Sequence, residues 1–204
     1  MKKFLISAIC TFLCCSMAFS QSASSVLKTT IQKYKSNGVV TANYTVKSGA
    51  QTNSGVIDTK GEKFRLTSNE MKCWFDGKTM WTYTKEAGEV NITSPTKQEL
   101  AMVNPYSALI SLKESSHLYL AYTQFPGTYT LKFVPKQKKN EIKQVLLMIT
   151  KSTYLIERIY FEMKDGTICD TDVTGYKTGQ KIPESIFVFQ SENVPKGTNI
   201  VDLR

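Results

Sequence analysis

The chain has 204 residues, 41% of them hydrophobic, and its 26 basic and 17 acidic side chains give a net charge of +9. With no Pro/Gly/Ser-rich linker, low-complexity tract or visible repeat, this length predicts one domain with a substantial core and excludes a repeat protein. The only dense basic run, residues 136–139, is typical of a solvated hairpin tip. We therefore expect no nucleic-acid partner, and the charge leaves open a weak attraction to anionic lipid headgroups or to an acidic partner surface.

The first twenty residues resemble an export signal. Lys2 and Lys3 precede an apolar stretch, residues 4–19, that ends in small side chains, so we predict a signal peptide cleaved before Gln21. A membrane anchor would need a run of ~20 apolar residues, and this stretch is shorter and interrupted by polar side chains. A lipid-modified cysteine is the other alternative, but none of the three cysteines in the stretch follows the expected pattern. Residues 21–204 are then a periplasmic domain with 24 basic and 17 acidic side chains.

Two cysteines remain after this cleavage, Cys73 and Cys169. Export permits a disulfide between them. Both fall in apolar strand-like segments, where a small buried thiol is the simpler explanation. The sequence leaves these two alternatives open.

Two segments have helical patterns. In residues 22–36, Leu27, Ile31 and Tyr34 recur at helical spacing before a stop at residues 37–38. Residues 96–114 predict a broken helix, with Asn104 as N-cap and Pro105 at the first helical position of its second part.

The rest of the chain predicts strands rich in Val, Ile, Thr, Tyr and Phe, punctuated by Asp-Gly and Pro-Gly turns. The predicted strands are residues 39–47, 54–60, 62–67, 70–75, 78–84, 89–93, 119–123, 128–134, 144–150, 154–163, 167–175 and 185–190. The fold class is therefore mainly β with a few helices. So wide an antiparallel sheet should curl into an incomplete barrel or split into a sandwich, with the helices lying across its concave face.

A two-residue turn at residues 76–77 predicts which side chains share a face of this sheet. Such a hairpin pairs Cys73 with Met80, and an even-length loop at residues 68–69 pairs Leu66 with Met71 and Phe64 with Cys73. One face then collects Phe64, Leu66, Met71, Cys73, Phe75 and Met80. The other face collects Lys63, Arg65, Glu70, Lys72, Trp74, Trp81 and Tyr83. We assign the first face to the concave interior, as either an ordinary core or the wall of a ligand cavity.

The residues that catalysis needs are not grouped in the sequence. The single histidine, His117, follows two serines that we place in a loop, and no serine lies in a G-x-S-x-G elbow. One histidine and two cysteines are also too few ligands for a standard zinc site. Asp170 and Asp172 point the same way on a predicted strand, with no further acidic residue tied to them. We expect a protein that is not an enzyme and needs no cofactor.

Several short motifs resemble those of one protein family. Residues 75–83 (FDGKTMWTY) are similar to the D-G-K-T-hydrophobic-W-x-Y motif of LolA-type outer-membrane lipoprotein carriers. Residues 55–57 and 63–66 resemble the early strands of that family, and Asn104-Pro105 with Leu109 resembles its lid helix. Residues 187–189 (FVF) and 195–197 (PKG) resemble its closing elements. The likeness covers most of residues 21–204.

This resemblance implies an incomplete β-barrel closed by helices, with Tyr106, Leu109 and Ile110 on the lid. Its hydrophobic cavity would take the acyl chains of lipoproteins from an inner-membrane transporter and deliver them, as a monomer, to an outer-membrane acceptor without covalent chemistry. Two alternatives stay open, a half-barrel that binds other apolar ligands and an envelope scaffold with a filled interior. One departure stands out, because Lys60-Gly61 replaces the Arg-Pro that latches the lid in the family.

Overall fold

The structure is a computed structural model that describes residues 21–204, so the predicted signal peptide lies outside the described residues. Its helices are α1 (Ala23–Ser36), α2 (Lys97–Val103) and α3 (Pro105–Ser115). Its strands are β1 (Val39–Ser48), β2 (Gln51–Lys60), β3 (Lys63–Ser68), β4 (Met71–Phe75), β5 (Met80–Thr84), β6 (Glu89–Thr93), β7 (Ser116–Ala121), β8 (Thr128–Pro135), β9 (Ile142–Thr150), β10 (Ile156–Met163), β11 (Ile168–Gln180) and β12 (Asn199–Asp202). Within residues 21–204 no helix has the length and apolarity that a membrane span requires.

All twelve of these strands belong to one sheet, in the order β12-β6-β5-β4-β3-β2-β1-β11-β10-β9-β8-β7. Neighbouring strands run antiparallel, except that β12 lies parallel to β6. The terminal strands of this order, β7 and β12, do not pair with each other, so the sheet remains open. The predicted fold, a mainly β incomplete barrel with a few helices, is confirmed.

Each helix begins where a side chain accepts hydrogen bonds from unpaired backbone N–H groups. The Ser22 hydroxyl accepts from the N–H of Ser25 at 3.1 Å and starts α1. At α2, Thr96 and Glu99 form a capping box, in which each side chain accepts from the other residue's N–H. The predicted break at residue 104 is confirmed, because Asn104 caps α3 and Pro105 occupies its first turn.

Three predictions about the chain ends and loops are wrong. Residues 185–190 were predicted as a strand, but they form part of the 3₁₀ turn Glu184–Phe187 and the link from it to a second 3₁₀ turn, Ser191–Asn193. Beyond them the chain forms β12, which the sequence did not indicate. The two serines predicted to lie in a loop instead end α3, at Ser115, and begin β7, at Ser116.

The side chains between sheet and helices form two clusters. The larger cluster lies under α1 and α3, and it includes Leu109, Leu131, Phe133, Val145 and Ile149, all fully buried. The smaller cluster lies under α2 on β3 and β4. Tyr44 packs against both clusters, and its ring crosses Gly55, where a Cβ atom would stand 2.6 Å from the Tyr44 hydroxyl. Gly55 therefore gives Tyr44 room to lie between the two clusters.

A closed hydrogen-bond ring fixes α1 to the sheet. Ile156 N–H donates to the Tyr34 hydroxyl at 3.4 Å, and the Tyr34 and Tyr176 hydroxyls are 2.8 Å apart. Tyr176 donates to the Ile156 carbonyl at 2.6 Å. Burial raises the pKa of Tyr34 to about 12 and also raises the pKa of Tyr176, so both hydroxyls keep their protons in neutral solution. The ring satisfies every polar atom in it and holds the end of α1 on β10 and β11.

Candidate functional site

The six predicted wall residues share one face of β3, β4 and β5. Phe64 pairs with Phe75, Leu66 with Cys73, and Phe75 with Met80. The rings of Phe64 and Phe75 are 5.7 Å apart at their centroids. Phe64, Leu66, Cys73 and Phe75 are buried, whereas Met71 and Met80 are only half-buried at the margins of the cluster. We call these six residues the β3–β5 wall.

The turn that gave this face assignment has a different length from the predicted one. Phe75 pairs with Met80, so four residues rather than two connect β4 and β5. The Asp76 carboxylate accepts from the N–H groups of Lys78 and Thr79, both at 2.8 Å, and Gly77 takes a φ of +103°. Every predicted pair in this region is therefore wrong by two residues. Side chains alternate between faces with a period of two, so an offset of two leaves each residue on its predicted face.

The cover of the β3–β5 wall is thin. Leu100 of α2 is buried in the same cluster, and Val103 packs against it. The sequence prediction did not name either residue, although both belong to the segment predicted as a broken helix. Of the three predicted lid residues, Leu109 and Tyr106 pack into the larger cluster under α1, and Ile110 is half-buried. Within residues 21–204, the helix over the wall is therefore the seven-residue α2.

Asn104 joins the break between α2 and α3 to the turn between β2 and β3. Its side-chain amide donates to the carbonyls of Gly61 at 3.0 Å and Glu62 at 2.8 Å. Its side-chain oxygen accepts from the N–H of Tyr106 at 2.8 Å, and the residue is fully buried. The turn in which Lys60-Gly61 replaces the family's Arg-Pro is thus attached to the helices by backbone carbonyls and one amide.

The opposite face of β3 and β4 is covered by the segment that follows β11, residues 181–198, which we call the C-terminal strap. Trp74 is 3% exposed and packs edge-on against Phe189, with ring centroids 5.4 Å apart. Glu184 accepts from Lys60 at 2.5 Å and from Lys63 at 2.6 Å. The sequence prediction grouped Trp74 with Lys63 and Arg65 on the face opposite the wall, and on that face the strap buries Trp74 in a small external core.

The two cysteines are free thiols. Cys73 on β4 and Cys169 on β11 are separated by β3, β2 and β1, a distance of roughly 19 Å at ~4.8 Å per strand, too far for a disulfide. Cys73 lies in the β3–β5 wall, 3.5 Å from the Thr82 hydroxyl, and burial raises its pKa to about 11. The thiol therefore remains neutral and is part of an apolar surface.

The acidic pair on β11 is held in an ion-pair network on the convex face. Arg158 of β10 donates to Asp170 through Nε at 2.7 Å and lies 3.6 Å from Asp172. The hydrogen bond from Arg158 lowers the pKa of Asp170. No group of three or more His, Cys, Asp or Glu side chains within the described part of the chain is arranged to hold a metal ion.

Comparisons with known proteins add an independent view of this fold. The family model for the outer membrane lipoprotein carrier protein LolA matches residues 14–167. A comparison with curated proteins finds no match. An uncharacterized conserved protein from Thermus thermophilus has a similar structure, with a TM-score of 0.61 at 13% identity, covering 88% of this chain and 98% of that one.

Two further solved structures are similar. The Pseudomonas aeruginosa MucA/MucB complex matches with a TM-score of 0.51 at 14% identity, covering 83% of this chain and 62% of that one. A LolA superfamily protein from Nitrosomonas europaea matches with a TM-score of 0.46 at 14% identity, covering 83% and 99%. Likeness at such identities concerns the fold alone. The family match spans the β3–β5 wall and both helices next to it, and the chain belongs to the family of the outer membrane lipoprotein carrier protein LolA.

Proposed function

We propose that this protein is a periplasmic carrier that holds the acyl chains of lipoproteins against the β3–β5 wall and delivers them to the outer membrane. LolA-family proteins bind or carry other molecules and are not enzymes, which supports a role without covalent chemistry. The observation that carries the proposal is the contrast between the wall and its cover. Three neighbouring strands gather six apolar side chains there, with the Thr82 hydroxyl beside Cys73, and a helix of seven residues lies over them.

The energies of covering and filling the wall favour exchange of the helix for a ligand. Lifting α2 exposes Leu100 and Val103, at a cost of about 1.5–3 kcal/mol for each fully buried side chain. A buried acyl chain contributes about 0.8 kcal/mol per methylene, so ~10 methylenes outweigh the loss of both side chains. An interior that is packed without ligand is therefore compatible with a carrier, provided that α2 moves.

Unloading follows from the same balance. Because no bond is made, the acyl chains leave only when an acceptor binds them better than the wall does. We expect an inner-membrane lipoprotein-releasing transporter as the donor and an outer-membrane acceptor as the recipient. The protein would act as a monomer, since one wall with its own cover is enough to shield the chains.

A pair of carboxylate substitutions on neighbouring residues of β3 tests the wall. Leu66→Glu should lower the affinity for a triacylated lipopeptide by at least about tenfold, because the carboxylate either holds water against the acyl chains or neutralises at an energetic cost. Thr67→Glu lies on the opposite, exposed side of the same strand and should bind normally. Thr67 is a better control than Lys63, because Lys63 holds Glu184 of the strap.

Folding must be separated from binding in this test. Both variants need the circular dichroism and cooperative melting of the wild type, and Met71→Glu, at a half-buried position of the same wall, replaces Leu66→Glu if that variant unfolds. A folded wall variant that binds the lipopeptide normally would exclude this wall as the site.

The identity of the natural ligand is tested by extraction. The protein purified from its own cells should release acylated lipoprotein into organic solvent. Free lipid without lipoprotein would instead indicate a half-barrel for other apolar ligands, and an empty extract from a protein that also fails to bind lipopeptide would indicate a scaffold.

A further inference from the structure

One end of the sheet exposes an unusual concentration of large apolar side chains. Tyr119 and Leu120 of β7 are 53% and 44% exposed, and Tyr122 and Phe125 in the following loop are 89% and 48% exposed. All four lie within seven residues of sequence. Single exposed apolar residues are ordinary on a protein surface, whereas a group of them marks a site of contact. Tyr119 and Leu120 are adjacent in a strand and point to opposite faces, so the loop residues Tyr122 and Phe125 are the main members of this group.

The loop that carries these rings, residues 122–127, is held in one conformation by its own hydrogen bonds. The Thr123 hydroxyl accepts from the N–H of Phe125 at 3.2 Å, and the Phe125 carbonyl accepts from the Thr128 hydroxyl at 2.9 Å. Lys151 N–H donates to the Gly127 carbonyl at 2.8 Å. The Phe125 N–H, the Phe125 carbonyl and the Gly127 carbonyl therefore keep a hydrogen-bond partner when the loop enters a less polar medium.

The charged groups near the loop include one lysine, Lys151, and one carboxylate, Glu157, which accepts from the Thr150 hydroxyl at 3.5 Å. A pocket of about 450 Å³ beside it is lined by Leu120, Tyr122, Tyr129, Thr130 and Lys151, among others. The Lys151 ammonium lies 5.3 Å from the centre of the Tyr129 ring, and within residues 21–204 it makes no salt bridge. Residues 116–130 and 144–155 contain no acidic side chain. The buried hydroxyl of Thr130 has no hydrogen-bond partner within the protein.

We propose that this end of the sheet is a contact surface for a phospholipid bilayer that contains anionic headgroups. Phe125 and Tyr122 enter the interfacial region, where rings with one apolar and one polar end are favoured. Lys151 faces the lipid phosphates, which give its ammonium the ionic partner that no salt bridge within residues 21–204 provides. The anionic membrane fits these observations better than a protein strand added to β7, because the exposed rings continue past the end of β7 into the loop.

This contact goes beyond the proposed carrier function, because it uses residues remote in sequence from the β3–β5 wall and requires no bound acyl chain. It would bring the protein to a membrane surface before or after transfer. Its consequence is a second lipid contact in the molecule, which recognises a surface rather than single acyl chains.

Vesicle flotation of the protein purified from its own cells tests the contact. The wild type should float with phosphatidylcholine vesicles that contain phosphatidylglycerol, and added salt should weaken the binding. Tyr122→Ser/Phe125→Ser should lower the partition coefficient at least about tenfold, since two interfacial rings are lost. The matched control Val188→Ser/Leu203→Ser removes apolar side chains that are 40% and 61% exposed elsewhere, and it should float like the wild type. Lys151→Gln should weaken binding to the vesicles that contain phosphatidylglycerol, and it should leave binding to pure phosphatidylcholine vesicles unchanged.

Three results would overturn the proposal: a wild type that floats with neither kind of vesicle, equal losses in the two double variants, or self-association through Tyr122 and Phe125 in sedimentation without vesicle binding. Melting curves must first show that each variant is folded. Lipopeptide binding by the Tyr122/Phe125 variant separates this proposal from the carrier function, because the membrane contact predicts normal loading together with lost flotation.

Discussion

The two halves of the sheet bury their apolar faces in different ways. Under α1 and α3, the strands β7 to β11 bury side chains that include Leu131, Phe133 and Val145, each 0% exposed, and Leu109 of α3 completes this cluster. Under α2, the strands β3 to β5 bury Phe64 completely, but Met71 and Met80 at the edges of the wall remain half-buried. The first cluster is packed from two helices, whereas the second is covered by part of one short helix.

On the convex side the cover is reversed, because within residues 21–204 the half that carries the β3–β5 wall is covered by further chain and the other half is not. Behind the β3–β5 wall, the C-terminal strap packs Phe189 on Trp74, buries Phe187 and binds Lys60 and Lys63 through Glu184. Behind the larger cluster, Arg158 pairs with Asp170 and Lys143 pairs with Glu162 on the sheet surface itself. The strands of the wall are thus supported from outside while their inner cover is thin. This arrangement lets the cover move without loss of the strands, which is what a proposed binding wall requires.

The largest expected difference between the halves is in stability. Leu109→Ala should lower the free energy of unfolding by about 2–5 kcal/mol, because a fully packed cluster leaves a cavity when the side chain is shortened. Leu100→Ala should cost less, about 1–2 kcal/mol, because α2 can settle onto the wall. Denaturant unfolding of both variants measures this difference. Equal losses would mean that α2 is as integral to the core as α3.

A smaller effect is expected from the link between the helices and the β2–β3 turn. Asn104→Ser keeps a cap for α3 but cannot reach the carbonyls of Gly61 and Glu62, so both carbonyls lose the buried amide that donates to them. We expect a loss of about 1–3 kcal/mol and faster hydrogen exchange in α2, while α1 keeps its protection. Unchanged exchange in α2 would show that Asn104 does not hold the cover in place.

The sequence was sufficient for the faces of the sheet but not for what covers them. The alternation of Phe64 and Leu66 with Lys63 and Arg65 is local, and it survives an error of two residues in the turn. Which helix covers the wall does not follow from the local sequence. Leu100 and Leu109 have the same pattern in the sequence, and only the tertiary fold decides which cluster each of them enters. The prediction for the strap failed for the same reason, since the apolar alternation of residues 187–189 fits a strand, whereas Phe189 in fact packs on Trp74.

The reactivities of the Cys73 and Cys169 thiols allow the two halves to be compared without any introduced cysteine. At mildly alkaline pH, Cys73 should react with a thiol reagent at least about tenfold more slowly than Cys169, because it is buried beneath α2 while Cys169 is half-buried. Burial raises the pKa of Cys73 to about 11, and burial together with the Asp170 charge raises the pKa of Cys169. Leu100→Ala should accelerate Cys73 alone. Acceleration of both thiols together would indicate global unfolding rather than movement of α2.

The smallest expected effect concerns the strap, which supports only the wall half. Lys60 and Lys63 lower the pKa of Glu184 to about 2 from its ordinary value of 4.5, mainly through their hydrogen bonds to the carboxylate. A lowered pKa in the folded state means that this attachment is complete above pH 4.5 and is lost as the pH falls towards 2. Glu184 is exposed to solvent, so Phe187 and Phe189 should keep most of the strap in place, and the loosening should be slight.

Trp74 offers the measurement, because with Trp81→Phe it is the only tryptophan of the chain. Its emission should shift slightly to the red between pH 4.5 and pH 2, as the ring beneath Phe189 becomes partly hydrated. Other carboxylates also lose their charge in this interval, so the informative quantity is the difference from the same protein with Glu184→Gln. In that variant the link to Lys60 and Lys63 is weak at every pH, because an amide carries no charge, and the additional acid shift should disappear. An identical pH profile with and without Glu184 would mean that the strap is held by Phe187 and Phe189 alone.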